Sequence, residues 1–393
     1  MRVALISSSL PPEGRGGAEG YAAALAESLR EEHDVAILTG APPGGVAGVE
    51  HIRLPRLPPV APDASSAAKA VWHARDQWMP SVHRAVGAAL RRVQPDVVHS
   101  HQPQGLSAAV FTAISRAGLP HVHTAHDLNL MCVRTSMTRD GQRCGGRCAE
   151  CLVQRTVRAT AAKRRLDFLL APSNYLCEEH VRAGVVPAER AITLRLGSEA
   201  VDAEPRHLAG PGLRLGYIGT LARHKGVLTL LRAFEQAPDD WTLVVAGSGP
   251  LEAEVSAAAA ADPRITALGY VQAAAKRRFF DGIDVLVVPS EWEEPGTFVC
   301  IEAAAHGVPA VVSDRGGLPE NPEVEVFPSG DAAALLAAAR ACAGSAERYD
   351  ATSARLIAAK DEFLWSTHAR RVELILAAAM RGEPAPLAAS AAG

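Results

Sequence analysis

Short β-rich apolar runs alternate with longer amphipathic stretches along this chain, and the alternation starts afresh past the middle. Strands are predicted at Arg2–Ile6, Val35–Leu38, Glu50–Leu54, Asp96–Ser100, His121–Thr124 and Phe168–Ala171. Between them, helices are predicted at Ala18–Glu32, with Tyr21, Leu25 and Leu29 on one face, and at Val82–Val93, Leu106–Ala117 and Leu152–Arg165. Pro205–Gly212 reads as a linker. Beyond it come strands at Leu213–Ile218, Thr242–Ala246, Arg264–Leu268, Asp284–Pro289 and Pro309–Ser313, with helices at Gly226–Glu235, Leu251–Ala261, 331–343 and 366–381. Such alternation specifies α/β architecture with doubly wound parallel sheets, and 393 residues exceed one hydrophobic core. Two Rossmann-like domains are therefore expected, 1–204 and 205–365, with a disordered Ala/Pro-rich tail at 382–393.

Charge and composition narrow the function. A net charge of −3 gives no general reason to expect nucleic-acid binding. The balance is uneven: residues 1–198 hold 23 Lys+Arg against 17 Asp+Glu, and the remainder 17 against 26. The basic half leaves open an anionic partner or a solvated surface. The opening run Val3-Ala4-Leu5-Ile6 is too short for a secretory signal, and no stretch approaches the length of a membrane span. A cytoplasmic protein is expected, and its seven cysteines are not read as a disulfide framework.

The densest chemistry lies in the second half. Glu294-Pro295-Gly296-Thr297-Phe298-Val299-Cys300-Ile301-Glu302 sets two carboxylates near one helix start, whose free amides attract phosphate. Carboxylates beside an anion site make sense for a nucleotide sugar: one accepts from sugar hydroxyls, the other from ribose, and the amides of Gly296, Thr297, Phe298 and Val299 face the diphosphate. Gly219-Thr220-Leu221-Ala222-Arg223-His224-Lys225-Gly226 follows a strand and places basic residues before a helix, where a lysine neutralises phosphate charge. Gly247-Ser248-Gly249-Pro250, Val287-Val288-Pro289-Ser290, Gly307-Val308-Pro309 and Gly316-Gly317-Leu318-Pro319-Glu320 complete the series.

In order and spacing these motifs resemble family-4 retaining glycosyltransferases of the GT-B fold, over most of residues 1–375. The resemblance implies two Rossmann-like domains facing a central cleft, an acceptor-binding N-terminal domain, a donor-binding C-terminal domain, and a final helix, 366–381, returning to the first domain. It implies that Glu294 contacts the donor sugar, Glu302 the ribose, and Lys225 the diphosphate. Two departures stand out. Many members carry Arg after the glycine equivalent to Gly219, where this chain has Thr220, so Arg223 is expected to supply the second positive charge. Many also read Glu-Pro-Phe-Gly where this chain reads Glu-Pro-Gly-Thr, which reshapes the sugar pocket.

In the first half, Gly14-Arg15-Gly16-Gly17 joins the first strand to the first helix and offers an anion the helix N-terminus. In the resembled family this loop lies across the cleft from the donor phosphate, which makes Gly16 and Gly17 donor-binding candidates. His126-Asp127 follows the strand His121–Thr124 at the carboxyl edge where open α/β sheets bind ligands, and the pair matches a family active-site position. No pair of N-terminal carboxylates suits double displacement. The resemblance implies instead front-face attack, in which the leaving diphosphate takes the acceptor's proton and catalysis is positioning plus charge stabilisation.

Cys132, Cys144, Cys148 and Cys151 form a cluster suited to a structural zinc within an insertion at about 130–152, the alternative being unpaired thiols. Cys177, Cys300 and Cys342 are expected to be buried small residues. Arg143, Arg147, Arg155, Arg158, Lys163, Arg164 and Arg165 make this insertion and the helix that follows it basic, suited to anionic lipid, a phosphorylated acceptor, or solvent. Three functions compete: a UDP- or GDP-sugar-dependent retaining hexosyltransferase acting on a carbohydrate, lipid-linked or small-molecule hydroxyl without a catalytic cofactor; an epimerase or phosphorylase on the same scaffold; and a non-enzymatic binding subunit. The presence of Lys225, Glu294 and Glu302 favours the first.

Overall fold

The computed structural model describes all residues except 15, 43–45, 62–63, 140–141, 145–148, 164–165, 209, 211 and 387–393. The chain divides into two compact units. The first comprises Met1–Met137, Cys144–Arg195 and the segment from Ala369 onward; the second comprises Thr138–Arg143 and Leu196–His368. The division after Arg195 precedes the Pro/Gly segment read as the linker. Ser198 already belongs to the second unit, forming a parallel bridge to Leu364.

In the first unit the strands are β1 (Arg2–Ser7), β2 (Asp34–Thr39), β3 (Glu50–Arg53), β4 (Val97–Ser100) and β5 (His121–Thr124). A two-stranded antiparallel hairpin, β6 (Thr138–Arg139) and β7 (Gln142–Arg143), groups with the second unit, and β8 (Phe168–Ala171) and β9 (Ala191–Thr193) complete the first sheet. That sheet is parallel throughout in the order β3-β2-β1-β4-β5-β8-β9. The second unit holds β10 (Arg214–Ile218), β11 (Thr242–Ala246), β12 (Ile265–Gly269), β13 (Val285–Val288), β14 (Ala310–Ser313) and β15 (Val324–Phe327). Its parallel sheet runs β12-β11-β10-β13-β14-β15. In both sheets the winding reverses beside the first strand, between β1 and β4 and between β10 and β13. Such switch points leave a crevice at the strands' carboxyl ends.

Local sequence explains the elements. β1 and β4 are buried on both faces, as apolar runs in covered parallel sheets are. Helix Pro80–Val93 buries Val82, Val86, Ala89, Leu90 and Val93, opens on a proline and ends with Gln94 in the left-handed region at φ 48°. These side chains join Ala4, Ile6, Ala36, Leu38 and Val98 in one core. The helix Ser66–Arg75, in a stretch to which no element was assigned, buries no side chain, so no apolar stripe announced it; Ser65 caps it by accepting from the Ala68 amide at 3.2 Å. β15 was not anticipated either, being a short edge strand with Val326 45% exposed.

Candidate active site

The second unit builds its site around one ion pair. Arg223–Lys225 forms a single 3-10 turn after β10, and Gly226 closes it at φ 71°. A Cβ on Gly226 would lie 1.7 Å from the Pro289 carbonyl oxygen, so only glycine lets this turn press against the end of β13. Lys225 Nζ then lies 2.8 Å from Glu294 Oε1, which also accepts from the Ser290 hydroxyl at 2.5 Å. The ammonium sits 4.5 Å from the centre of the Trp292 ring, a cation–π arrangement. Glu294 is 4% exposed.

The diglycine loop holds this carboxylate's backbone. Gly317 N–H donates to the Glu294 carbonyl at 2.8 Å, and Gly316 N–H donates to Glu293 Oε2 at 2.9 Å. Gly316 has φ 57°, and a Cβ there would fall 2.2 Å from the Glu294 carbonyl oxygen. Gly219 follows β10 and its N–H donates to the Ala246 carbonyl at 3.1 Å.

Gly296, Thr297, Phe298 and Val299 are half-buried and lead into the helix Phe298–Ala305, whose N-cap Thr297 makes no side-chain capping bond. An uncapped helix start leaves its first-turn amides available to an anion. Glu302, within this helix, is ion-paired with Lys276 of the helix Ala273–Gly282. Burial raises the Glu302 carboxyl, and the Lys276 ammonium partly offsets the rise. Arg223 does not meet the Lys225–Glu294 pair. Its side chain is exposed, without a partner among the described residues, and lines a separate cavity with His224 and Trp292.

In the first unit Gly16 is the N-cap of the helix Gly17–Leu29. The Glu19 carboxylate folds back over this loop: a Cβ on Gly16 would lie 2.5 Å from Glu19 Oε2, and the Ser9 hydroxyl donates to Glu19 Oε1 at 3.2 Å. Glu19 thus takes the favourable place at the helix start. His126 is half-buried, with Nε2 3.3 Å from His101 Nδ1 and its ring edge-on to Tyr21 at 4.9 Å. Asp127 accepts from the Asn129 N–H at 2.7 Å, and burial pushes its carboxyl up to about 6.

Histidines crowd the carboxyl ends of β4 and β5. His99 Nε2 lies 2.8 Å from the Thr124 hydroxyl, and the Ser100 hydroxyl lies 2.6 Å from His121 Nε2 and 2.9 Å from His123 Nδ1. Burial lowers His121 to about 3 and His180 to about 4, and takes His101 and His123 well down too. These rings are neutral in the folded unit.

Several participants escaped sequence reading. Ser290, Trp292 and Glu293 flank Glu294 in the chain, and their proximity was the available signal. Lys276 and His101 gave none, because each meets its partner only through strand order. Arg158, grouped above with a basic surface, is fully buried. It pairs with Asp76 at 2.5 Å, donates to Asn129 Oδ1 and braces the segment after Asp127. Its length let it cross the core to a buried carboxylate, which the charge pattern alone did not reveal. Arg147, Arg164, Arg165 and the Arg143 side chain lie outside the described residues.

Cys132 and Cys151 place their sulfurs 4.0 Å apart. Cys148 lies outside the described residues, and among the described residues no three His, Cys, Asp or Glu side chains converge as a metal site. Cys177, Cys300 and Cys342 are buried.

Two parallel sheets of seven and six strands, each reversing at its first strand, are the GT-B fold. Solved structures share this fold. The HepE protein of Anabaena in complex with UDP aligns at TM-score 0.72 and 17% identity over 96% of this chain and all of that one. Sucrose-phosphate synthase from Thermosynechococcus elongatus aligns at 0.70 and 21% over 95% and 97%. Residues 15–197 match the family described as Glycosyltransferase Family 4, and residues 212–344 match Glycosyl transferases group 1. Alpha-maltose-1-phosphate synthase of Mycolicibacterium smegmatis is 30% identical over 81% of each chain. An uncharacterized 42.6 kDa protein in the cps region of Klebsiella pneumoniae is 24% identical over 81% of this chain and 87% of its own. The chain belongs to glycosyltransferase family 4.

Proposed function

We propose that this glycosyltransferase moves a hexosyl group from a UDP- or GDP-sugar to a hydroxyl of a carbohydrate, lipid-linked or small-molecule acceptor, with retention of configuration. The observation that carries the donor reading is the Lys225–Glu294 pair lying just before a helix whose N-terminus has no side-chain cap. A nucleoside diphosphate supplies what that arrangement lacks, an anion for the ammonium and the amides. Glu294, released from Lys225, then accepts from sugar hydroxyls, and Glu302 from ribose. Gly219 gives the diphosphate close access to the main chain. HepE, the Anabaena neighbour, forms complexes with UDP and with UDP-glucose, which supports a uridine nucleotide first.

Catalysis on this reading is positioning and stabilisation of the leaving diphosphate, mainly by Lys225 and helix amides. His126 serves the sugar side of the reaction in the first unit, and Gly16 and Gly17 face phosphate once Glu19 gives way. Retention is tested by NMR of the product: an α-linked donor yields an α-linkage, and a β-linkage would discard the mechanism. Donor identity is tested by melting with UDP, GDP and ADP in turn. The cognate nucleotide at a hundred times its dissociation constant adds about 2.7 kcal/mol of stability.

Two further assignments belong to this proposal. The 4.0 Å between Cys132 and Cys151 sulfurs is close to the spacing of two thiolates on one tetrahedral zinc, roughly 3.8 Å for bonds of about 2.3 Å. Zinc, when bound, would be a structural tie for the insertion, with Cys144 and Cys148 as the remaining ligands. Peripheral contact with anionic lipid through the basic 143–165 region is retained without Arg158, which is buried. No helix among the described residues is long and apolar enough to cross a membrane.

A further inference from the structure

Arg223 and His224 precede Lys225, and Glu291 and Trp292 precede Glu294. Both segments therefore run from the donor ion pair into a neighbouring cavity of about 780 Å³ in the second unit. That volume falls within the usual range for small-molecule sites, about 300–1,000 Å³. Its apolar wall is Leu228, Leu231 and Ala258, with the Trp292 indole beside it. Its charged groups are mixed, Arg223 and Arg232 against Glu235, Glu254 and Glu291, with the His224 imidazole, which burial shifts toward its neutral form, among them.

The pairing inside the cavity is sparse. The Thr229 hydroxyl donates to Glu291 Oε1 at 2.7 Å and accepts from Arg232 Nη2 at 2.9 Å. Arg223, Glu235 and Glu254 have no partner among the described residues. An anion would meet three carboxylates here, and a cation two guanidiniums. A polyhydroxylated neutral ligand suits both, because each hydroxyl donates to a carboxylate while accepting from a guanidinium. The apolar wall and indole suit the C–H face of a pyranose.

We propose that this cavity is a carbohydrate subsite, holding sugar units of an oligosaccharide acceptor beyond the residue that reacts. Continuity of both lining segments with Lys225 and Glu294 makes it part of the substrate path. That role rests on the transferase reading above, whereas its affinity for sugar does not.

The test uses the full chain and three neutral trisaccharides as probes: maltotriose, cellotriose and chitotriose. Saturation-transfer NMR reports their binding, and melting with UDP and GDP reports the donor site. The variant is the double substitution Glu235→Ala with Glu254→Ala, two exposed residues outside the donor machinery. At least one trisaccharide gives a signal that falls five-fold or more in the variant, while the nucleotide melting shift is kept. No signal from any of the three on the unaltered chain overturns the proposal, as does a signal undiminished in the variant. A trisaccharide signal that is lost in the variant, from a chain that no nucleotide stabilises, upholds the sugar site and strikes the donor reading instead.

Discussion

The two sheets share one winding pattern, yet their carboxyl edges hold opposite chemistries. The first unit lines its edge with imidazoles, which bond to Ser100, Thr124 and one another. The second places ammonium–carboxylate pairs there, Lys225 with Glu294 and Lys276 with Glu302. On the first edge the rings bond to neighbouring hydroxyls, while His101 Nε2 is buried without a hydrogen-bond partner among the described residues. The other is self-neutralised by its ion pairs. Shared topology thus gives both units a crevice at the strand ends, and on the proposed function the side chains there decide which unit meets phosphate.

The largest effect expected tests the charged edge. Lys225→Ala removes the charge facing the leaving diphosphate and lowers kcat by roughly 10²–10³-fold, by analogy with loss of one transition-state donor. Glu294→Gln gives a comparable fall; it loses the charge that pairs with Lys225 but keeps an oxygen that accepts from Lys225 and Ser290, so it melts below the parent and above Glu294→Ala. Glu294→Ala loses the acceptor as well as the charge, and breaking a buried pair costs about 3–5 kcal/mol. Turnover near normal in either Lys225→Ala or Glu294→Gln would erase the contrast between the edges.

Next comes acid sensitivity, which should belong to the first unit, where His101, His121, His123 and His180 lie buried. A histidine whose folded value is depressed contributes stability that is present above its unfolded value, near 6.5, and is lost as pH falls below it. At pH 5, His121 and His180 each cost the folded state about 2 kcal/mol relative to pH 7. His101 and His123 add in the same direction. Asp127 opposes them: its folded value, about 6, is raised, so its contribution grows as pH falls, by about 1 kcal/mol over this interval. The net loss lowers melting by about 10 °C. Hydrogen exchange, corrected for its intrinsic pH dependence, should show β4 and β5 losing protection before β10 and β13. Equal loss in both sheets would dissolve the comparison.

The smallest effect concerns the cysteines. Protein purified without added metal is expected to carry at least half an equivalent of zinc, and chelation to raise the acceptor KM more than it weakens nucleotide binding. A metal-free protein by elemental analysis would return these residues to unpaired thiols.

Much of the fold was legible because its signals are local. Strands such as Phe168–Ala171 and Thr242–Ala246 follow from apolar runs bounded by breakers, and Pro80–Val93 from its buried stripe. The helix Ser66–Arg75 and edge strand β15 were not legible, since neither carries a strong apolar pattern. At the site, the chain order of Lys225, Glu294 and Glu302 was readable as a motif series. Arg223 lines the neighbouring cavity rather than joining the Lys225–Glu294 pair, which its place in the turn did not reveal.

Sequence by itself determined the alternating α/β pattern, the glycines at Gly226 and Gly316 that permit tight turns, and the carboxylates and lysine available for donor chemistry. Tertiary structure alone decided the pairings. Lys225 meets Glu294 because β13 lies beside β10 although two strands intervene in sequence, Lys276 meets Glu302 across two helices, and Arg158 reaches Asp76 through the core. The physical reason is that strand order and register are set by burying whole apolar faces, a sum over dozens of residues. The charges that come together at the ends are carried there by that sum and form no local pattern of their own.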